Sequence, residues 1–276
     1  MPELPEVEVS RLGLLPCLPG QTIVRAIFRV PKLRHALPPE LASKLAGMRV
    51  RAILRRGKYL LFDCANGDEQ RGWLIIHLGM SGSLRLVSAD TPVQKHDHVD
   101  LVFPNTVLRF RDPRRFGALL WHEGSDIERH PSIAVLGVEP LSHDFNGEWL
   151  YAVTRRRNTP IKPLLMDSHL LVGVGNIYAA EALFRAGVAP TRAARRVGLE
   201  RCRGLAAAIR ATLEESIAAG GSSVRDYVHS DGGAGSFQTL CSVYGRAGEP
   251  CRVCGTPIRV LRQAGRSTFY CPCCQR

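Results

Sequence analysis

The first eight residues, MPELPEVE, contain a group that could act as a nucleophile. Removal of Met1, which a small following residue normally permits, would leave Pro2 with a free secondary amine. An α-amine titrates at about 8, below lysine at about 10.4, so more of it is neutral and able to attack an electrophilic carbon. Two other interpretations stay open from these residues alone. Pro5 could be the first residue of a helix, in which case Glu6 and Glu8 would interact favourably with the positive end of the helix dipole. The segment could also be an acidic terminus without a role.

A second chemically competent group lies in the last 26 residues, which hold five of the nine cysteines. CRVC contains Cys251 and Cys254, CPCC contains Cys271 and Cys274, and sixteen residues separate the two pairs. This spacing is typical of a tetrahedral zinc site with four thiolate ligands, and so short a segment needs the metal in order to fold. Cys273 is additional, so a shifted pairing through it stays open. The clustering favours a reducing, cytoplasmic setting over disulfides.

Two further stretches suit phosphate contact. Between the cysteine pairs, IRVLRQAGRSTFYC predicts a hairpin with Gly265 and Arg266 at its tip. Arg266 is there either an ordinary turn arginine or a residue that reaches phosphate or a damaged base. GVGN, residues 173–176, joins two predicted helices, with Asn176 as N-cap and a glycine turn whose N–H groups suit phosphate; a plain helix hairpin is the alternative. No strand is predicted before GVGN, and Tyr178 occupies the place of the third glycine of a dinucleotide fingerprint, so that motif is disfavoured.

Large side chains also occur on turns flanked by glycine. HLGMSG presents Met80, and DPRRFG presents Arg114, Arg115 and Phe116. Such residues often pack inward. On a basic protein they can also be wedges that enter a duplex and unstack its bases.

Lys58 and a histidine pair are weaker candidates. In RRGKYLL, Lys58 heads an apolar strand, where it is either a surface strand end or a partly desolvated group that donates a proton or binds phosphate. In KHDHVD, His96 and His98 alternate on a predicted strand and therefore share one face. No third metal ligand is evident, so phosphate contact or packing is favoured over metal binding.

The charge of the chain points to a polyanionic partner. The formal net charge is +12 and the pI about 9.7. Residues 185–210 hold seven arginines against one glutamate, and residues 246–276 hold six against one. Solvated helix faces usually mix signs, so these blocks favour nucleic acid. No apolar run approaches the length of a membrane span, and the acidic terminus does not resemble a signal peptide.

The sequence predicts strands first, then helices, and then the cysteine-rich tail. After the opening helix, eight short apolar stretches predict a β-sandwich or barrel: QTIVRAIFRV, RVRAILRR, KYLLFDC, GWLIIHLG, SLRLVS, HVDLVF, VLRFRD and GALLWH. Helical spacing follows in LYAVTRRR, IKPLLMDSHLL, NIYAAEALFRAG and LERCRGLAAAIRATLEESIAAGG. We predict an α+β protein with domains at residues 1–133, 134–245 and 246–276.

Eight motifs in this order resemble the bacterial formamidopyrimidine-DNA glycosylase family. They are PELPEVE, GKYL, HLGMSGSLR, KHDHVDL, DPRRFGA, GVGNIYA, SDG and YGRxGxPCRVCGTPI…FYC, and they cover essentially the whole chain. The resemblance implies an N-terminal β-sandwich with an N-terminal helix, a helix–two-turn–helix domain and a zinc finger of β-hairpin form. It also implies a monomer acting on damaged double-stranded DNA in the bacterial cytosol, at the nucleoid.

The resemblance also implies roles for individual residues. Pro2 would attack C1′ of the damaged deoxynucleotide, Glu3 would donate a proton and Glu6 would support the terminus. A carboxyl acting as an acid needs a raised pKa, which burial can give. Lys58 would serve in β-elimination and Arg266 in δ-elimination or phosphate binding. The implied DNA contacts are His96, Arg114, Asn158 and Asn176 on phosphate, Met80, Arg114 and Phe116 in the space of the flipped base, and Ser222, Ser223, Val224, Arg225, Asp226 and Tyr227 in a loop over that base.

Two positions depart from the family pattern, and three other functions stay open. Cys273 is additional, and Asn158 stands where many relatives have a basic residue. A relative preferring oxidised pyrimidines is the nearest alternative to a purine-specific enzyme. A non-catalytic zinc-ribbon DNA-binding protein would leave Pro2, Glu3 and Lys58 without a role. A small-molecule enzyme using an N-terminal proline would not explain the basic helices.

Overall fold

A computed structural model describes residues 2–67, 70–222, 233 and 235–276. The chain forms two compact units. The N-terminal unit comprises Met1–Ala134 and Gly220–Ser236, and the C-terminal unit comprises Val135–Ala219 and Phe237–Arg276.

The N-terminal unit is a sandwich of two antiparallel four-stranded sheets, as the sequence predicts. All eight predicted strands are present: β1 Arg25–Phe28, β2 Arg49–Arg56, β3 Tyr59–Asn66, β4 Gln70–His77, β5 Ser83–Val87, β6 Asp97–Val102, β7 Val107–Arg111 and β8 Ala118–Glu123. One sheet has the order β1-β6-β7-β5 and the other β2-β3-β4-β8. Apolar side chains from both sheets, among them Phe62 and Phe110, form one buried core.

Among the described residues of this unit, three α-helices accompany the sheets. Helix α1, Leu4–Leu14, buries Leu4, Val7 and Leu14. Val7 and Leu14 belong to the sandwich core, so apolar packing fixes the helix that follows Pro2. The short helices α2, Pro39–Leu45, and α3, Pro131–Ala134, were not predicted.

The C-terminal unit contains the helices and the cysteine-rich tail. Helix α7, Leu199–Ala218, packs against α4, Gly147–Thr154, and α6, Asn176–Arg185. Its alanine-rich sequence suits a long helix, and it ends before Gly220, whose φ is +76°. The remaining elements are α5 Ile161–Leu165, α8 Phe237–Leu240, β9 Arg259–Gln263 and β10 Arg266–Tyr270.

One helix is shorter than predicted. The spacing of IKPLLMDSHLL predicts a helix through Leu171, but α5 ends at Leu165. The next residues give their carbonyl groups to another segment instead: Gly137 N–H donates to Ser168 O at 2.9 Å, and Val138 N–H to Leu170 O at 2.8 Å. A Cβ on Gly137 would lie 2.1 Å from Leu170 O, so this close approach requires glycine.

Candidate active site

Two buried carboxylates flank the start of α1. Glu3 is the N-cap residue and Glu6 occupies the third helical position, and together they form a reciprocal capping box. The Glu3 N–H donates to Glu6 Oε2 at 2.7 Å. Both carboxylates are at most 3 % exposed, and Pro2 is buried beside them. The helix-start interpretation therefore holds, but the first helical residue is Leu4 rather than Pro5.

The second oxygen of Glu6 holds a distant segment of the same unit. The Ser222 N–H donates to Glu6 Oε1 at 2.7 Å. Gly221 lies against this carboxylate with a φ of +79°, and a Cβ there would be 3.1 Å from Oε1. Glu6 thus joins the chain terminus to the beginning of the glycine-rich segment. The predicted loop residues beyond Ser222 lie outside the described residues: Ser223, Val224, Arg225, Asp226 and Tyr227.

Lys58 lies in the tight turn between β2 and β3. Gly57 precedes it with a φ of +55°, a left-handed conformation that favours glycine. Lys58 is partly buried and its charge acts on His77, which lies at the end of β4. Burial, Lys58 and Arg34 together lower the pKa of His77 to about 4. Lys58 is therefore partly buried and lies in the turn that precedes β3 rather than at the head of the strand.

The predicted wedge residues are exposed on turns of the sandwich. Met80 is 40 % exposed and Phe116 is 45 % exposed. The Arg114 guanidinium lies over the Phe116 ring, 4.9 Å from its centroid. A Cβ on Gly79 would lie 2.4 Å from the Phe116 backbone, so glycine allows the two turns to pack together.

A residue that sequence reasoning missed, Asp112, holds these turns. It is fully buried, and it accepts hydrogen bonds from Ser81 Oγ at 2.6 Å and Gly117 N–H at 2.8 Å. The Arg114 N–H lies 3.3 Å from its Oδ1. Asp112 opens the DPRRFG motif, and an aspartate at the start of a turn commonly accepts nearby N–H groups. That position was the signal available in the sequence.

The structure corrects the prediction for His96 and His98. Strand β6 begins at Asp97, so His96 precedes the strand, with a φ of +77°. His98 is buried, and its Nε2 lies 3.0 Å from Asp112 O. A register shift between Asp97 and Val99 breaks the regular alternation. His96 therefore lies outside the strand and is partly exposed, whereas His98 is buried, and the two rings meet edge to face with their centroids 6.1 Å apart.

Asn176 is also corrected, because Gly175 is the N-cap of α6 and Asn176 is the first helical residue. Its side chain donates from Nδ2 to Ser267 O at 2.9 Å. Lys162 Nζ donates to Asn176 Oδ1 at 2.5 Å and to Thr268 Oγ1 at 2.9 Å. Lys162 is 1 % exposed and was missed, although a lysine inside an apolar stretch was the available signal.

Arg266 and Asn158 are exposed in the C-terminal unit. Arg266 is the first residue of β10 and pairs with Gln263 of β9. Ala264 and Gly265 form the hairpin tip with φ values of +45° and +76°, the pattern of a type I′ turn. Arg266 therefore flanks the tip instead of occupying it. Asn158 lies in the connection between α4 and α5.

The four predicted cysteine ligands converge on one point. The sulfur atoms of Cys251, Cys254, Cys271 and Cys274 all lie within 4.8 Å of one another. Cys251 and Cys274 are 3.9 Å apart, and Cys254 and Cys271 are 3.5 Å apart. Zinc–sulfur bonds of about 2.3 Å in a tetrahedron place sulfurs about 3.8 Å apart, so the cluster fits zinc. Cys273 is exposed and is not one of the four ligands.

Three family models match the chain from its beginning to its end. The formamidopyrimidine-DNA glycosylase N-terminal domain matches residues 1–119, and the formamidopyrimidine-DNA glycosylase H2TH domain matches residues 136–228. The zinc finger found in FPG and IleRS matches residues 248–276. The chain therefore belongs to the formamidopyrimidine-DNA glycosylase family, and its four-cysteine cluster binds one structural zinc ion.

Individual relatives match over their full length. The chain is 60 % identical to the formamidopyrimidine-DNA glycosylase of Dechloromonas aromatica, with all of both chains covered. A Lactococcus lactis FPG mutant in complex with a Fapy-dG containing DNA has a TM-score of 0.91 at 34 % identity, again covering both chains completely. The MutM (FPG) protein from Thermus thermophilus has a TM-score of 0.87 at 41 % identity, covering 99 % of this chain and 98 % of the other. No helix in the described part of the chain is long and apolar enough to cross a membrane.

Proposed function

We propose that this chain is a base-excision-repair DNA glycosylase that removes oxidised purines from duplex DNA and then cleaves the strand at the abasic site. The observation that carries the proposal is the terminus itself, where Pro2 precedes a helix whose first turn is built from the buried carboxylates Glu3 and Glu6. Relatives that cover the whole chain carry the glycosylase name. A non-catalytic zinc-ribbon protein would have no use for this arrangement.

In the proposed reaction, the Pro2 nitrogen bonds to C1′ of the damaged nucleotide. The bond from C1′ to the base breaks, and the departing base takes the proton that the Pro2 amine loses. Glu3 then protonates the ring oxygen, and the sugar ring opens to a positively charged iminium between Pro2 and C1′. The iminium is an electron sink, so water accepts a proton from C2′ and the 3′-phosphate departs with the electron pair of the broken bond to C3′. A second elimination, in which water accepts a proton from C4′, then releases the 5′-phosphate.

The remaining residues serve the two eliminations and the DNA. Lys58, which is partly buried, acts in β-elimination, and Arg266 acts in δ-elimination or binds phosphate. His96, Arg114, Asn158 and Asn176 contact the phosphate backbone. Met80, Arg114 and Phe116 fill the space of the flipped base, which their exposure supports. The zinc ion stabilises the fold of the finger that carries Arg266.

The preferred lesion separates the proposal from its nearest alternative. A wild-type Lactococcus lactis relative has been solved in complex with an oxidized pyrimidine containing DNA, so an oxidised pyrimidine is a second candidate substrate. A duplex carrying 8-oxoguanine opposite cytosine should be cleaved faster than a matched duplex carrying an oxidised pyrimidine. Faster cleavage of the pyrimidine duplex would reassign the substrate.

The covalent step can be tested separately. Borohydride added during the reaction should reduce the iminium and leave a protein–DNA adduct on Pro2, the first residue after Met1 removal. Glu3→Gln should abolish base excision, because an amide cannot donate a proton as an acid, while cleavage of a preformed abasic site is spared. An adduct at any other residue, or active enzyme that retains Met1, would show that Pro2 is not the nucleophile.

We also infer that the enzyme works as a monomer in the bacterial cytosol, at the nucleoid. All of the proposed catalytic residues belong to one chain, and four thiolate ligands require a reducing compartment. Sedimentation of the DNA complex should give one protein per duplex, and a stoichiometry of two would overturn the monomer.

A further inference from the structure

Glu8 lies on α1, about half a turn beyond the capping box, and is bound by two arginines. Arg11 Nη2 donates to Glu8 Oε1 at 2.6 Å, and Arg55 Nε donates to Glu8 Oε2 at 2.9 Å. The Glu8 side chain is 15 % exposed and that of Arg55 is 11 % exposed. Burial opposes the negative charge, but the hydrogen bonds and charges of the two arginines outweigh it and lower the pKa of Glu8. Glu8 is therefore ionised and held from two sides.

Arg55 makes a second contact that Arg11 does not make. Its Nη1 donates to the carbonyl oxygen of Gly57 at 3.2 Å. That carbonyl belongs to the peptide group joining Gly57 to Lys58, inside the tight turn where Gly57 has a φ of +55°. One planar guanidinium thus connects the helix that follows Pro2 to the peptide group that orients Lys58.

We propose that the Glu8–Arg55 pair is a positioning device that sets the Lys58 turn against α1, so that Lys58 reaches the covalent intermediate formed at Pro2. The inference rests on the proposed function, because it assumes that Pro2 and Lys58 act in the lyase reaction. Glu8 and Arg55 contact neither the substrate nor the reacting atoms. They act by setting the relative positions of Pro2 and Lys58, which do contact them.

The pair is not what docks α1 onto the sandwich. Leu4, Val7 and Leu14 bury the apolar face of the helix almost completely, and Arg11 Nη1 donates to Ile53 O at 3.3 Å. Weakening the pair should therefore leave the helix in place and free the turn. That difference allows a positioning role to be separated from a structural one.

The variant that tests this proposal most directly is Arg55→Lys. Lysine keeps a cation beside Glu8, but its single ammonium cannot reproduce a fork that binds Glu8 with one nitrogen and Gly57 O with another. The assay uses a duplex with a preformed abasic site under single-turnover conditions, and it follows the borohydride-trapped adduct and strand cleavage separately. The trapped adduct should form at the wild-type rate, because Pro2 is undisturbed. β-Elimination should slow by roughly 10- to 100-fold, as expected for a catalytic group displaced by about 1 Å.

Two further variants control the result. Arg71→Lys is a matched substitution in the same sheet, where Arg71 binds Asp63 through Nε at 3.1 Å and Nη2 at 2.9 Å. It should leave both rates unchanged. Glu8→Gln weakens the same pair from the other side and should reproduce the split between normal trapping and slow elimination.

The possible results separate a failure of the inference from a failure of the proposed function. Arg55→Lys with wild-type elimination overturns the inference, and so does an equal loss of trapping and elimination with a lowered melting temperature, which would show a purely structural role. If the wild-type protein itself neither traps nor cleaves, the proposed function is wrong and the inference falls with it. If the wild type is active and Arg55→Lys behaves like it, the inference is overturned while the proposed function stands.

Discussion

Two turns of this protein expose side chains proposed to meet DNA, and they are held in different ways. In the N-terminal unit, the DPRRFG turn carries Arg114 and Phe116 and is fixed by the buried carboxylate of Asp112. In the C-terminal unit, the hairpin of β9 and β10 carries Arg266 beside four thiolates that converge on one metal position. One turn depends on hydrogen bonds and the other on a metal ion.

The difference follows from the size of the core beneath each turn. The DPRRFG turn lies on a sandwich whose core contains apolar residues from both sheets, including Phe110 and Leu119. The finger contributes only a few buried apolar residues, such as Ile258, to a small cluster with Phe184 of α6. A large core needs only a local polar anchor to shape a turn, whereas a segment without a core needs a metal to fold.

Breaking the metal site should have the largest effect. Cys271→Ser removes a buried ligand, so we expect loss of zinc, rapid amide hydrogen exchange throughout β9 and β10, and loss of most DNA affinity. Structural zinc contributes about 10 to 16 kcal/mol in small finger peptides, far more than the finger has from packing. Amide exchange by mass spectrometry reports on the finger and the sandwich separately, and the sandwich strands should stay protected.

Cys273→Ser is the matched control for the metal site, because Cys273 is exposed and lies outside the four-sulfur cluster. It should bind one zinc per chain, as the wild type does. Retained zinc in Cys271→Ser together with lost zinc in Cys273→Ser would contradict the ligand assignment.

Removing the polar anchor of the other turn should have the next largest effect. Asp112→Ala leaves Ser81 Oγ and the N–H of Gly117 without their acceptor, at a cost of about 3 to 5 kcal/mol in the free energy of unfolding. Urea unfolding measures the loss. Asp90→Ala, at an exposed site, should change stability by less than about 0.5 kcal/mol. Equal stability of the two variants would mean that the core alone shapes the turn.

The neighbouring HLGMSG turn, which packs against the DPRRFG turn, should respond to acid through His77. Its Nδ1 accepts the Gly79 N–H at 3.0 Å, and burial, Lys58 and Arg34 lower its pKa from 6.5 to about 4. Between these values the unfolded chain binds more protons than the folded one, so stability is complete above pH 6.5 and falls as the pH drops toward 4. The loss is at most about 3 kcal/mol. His77→Gln should flatten this dependence in urea unfolding at pH 7 and pH 5, and an unchanged slope would show that other groups cause it.

Phe116→Ala should change stability least, because the ring is 45 % exposed. Its proposed task is to cover bases left unstacked when the damaged base leaves the duplex. Excision of 8-oxoguanine should therefore slow by roughly tenfold or more, the effect of about 1.4 kcal/mol, while cleavage of a preformed abasic site changes little. Val93→Ala, also an exposed apolar residue of this unit, is the control. Equal slowing on both substrates would show that Phe116 only supports the fold.

Local sequence pattern was sufficient to predict much of the fold and the zinc site of this protein. Eight strands, the opening helix and the four zinc ligands could all be predicted, because alternating apolar residues, a proline in a first turn and paired C-x2-C turns depend on neighbours close in sequence. The same spacing left open whether Cys273 or Cys274 binds zinc. Only the folded positions of the sulfur atoms select Cys274.

Contacts between distant residues decided the rest. The sequence presented Asp112, Lys162 and Glu8 as ordinary charged residues, whereas the structure places them where they orient turns and side chains. The prediction of a strand through His96 and of a helix through Leu171 failed because backbone groups there bond to other segments, such as Asp112 and Val138. A buried charge or carbonyl must find a partner somewhere in the fold, and which partner it finds depends on tertiary packing that no local pattern records.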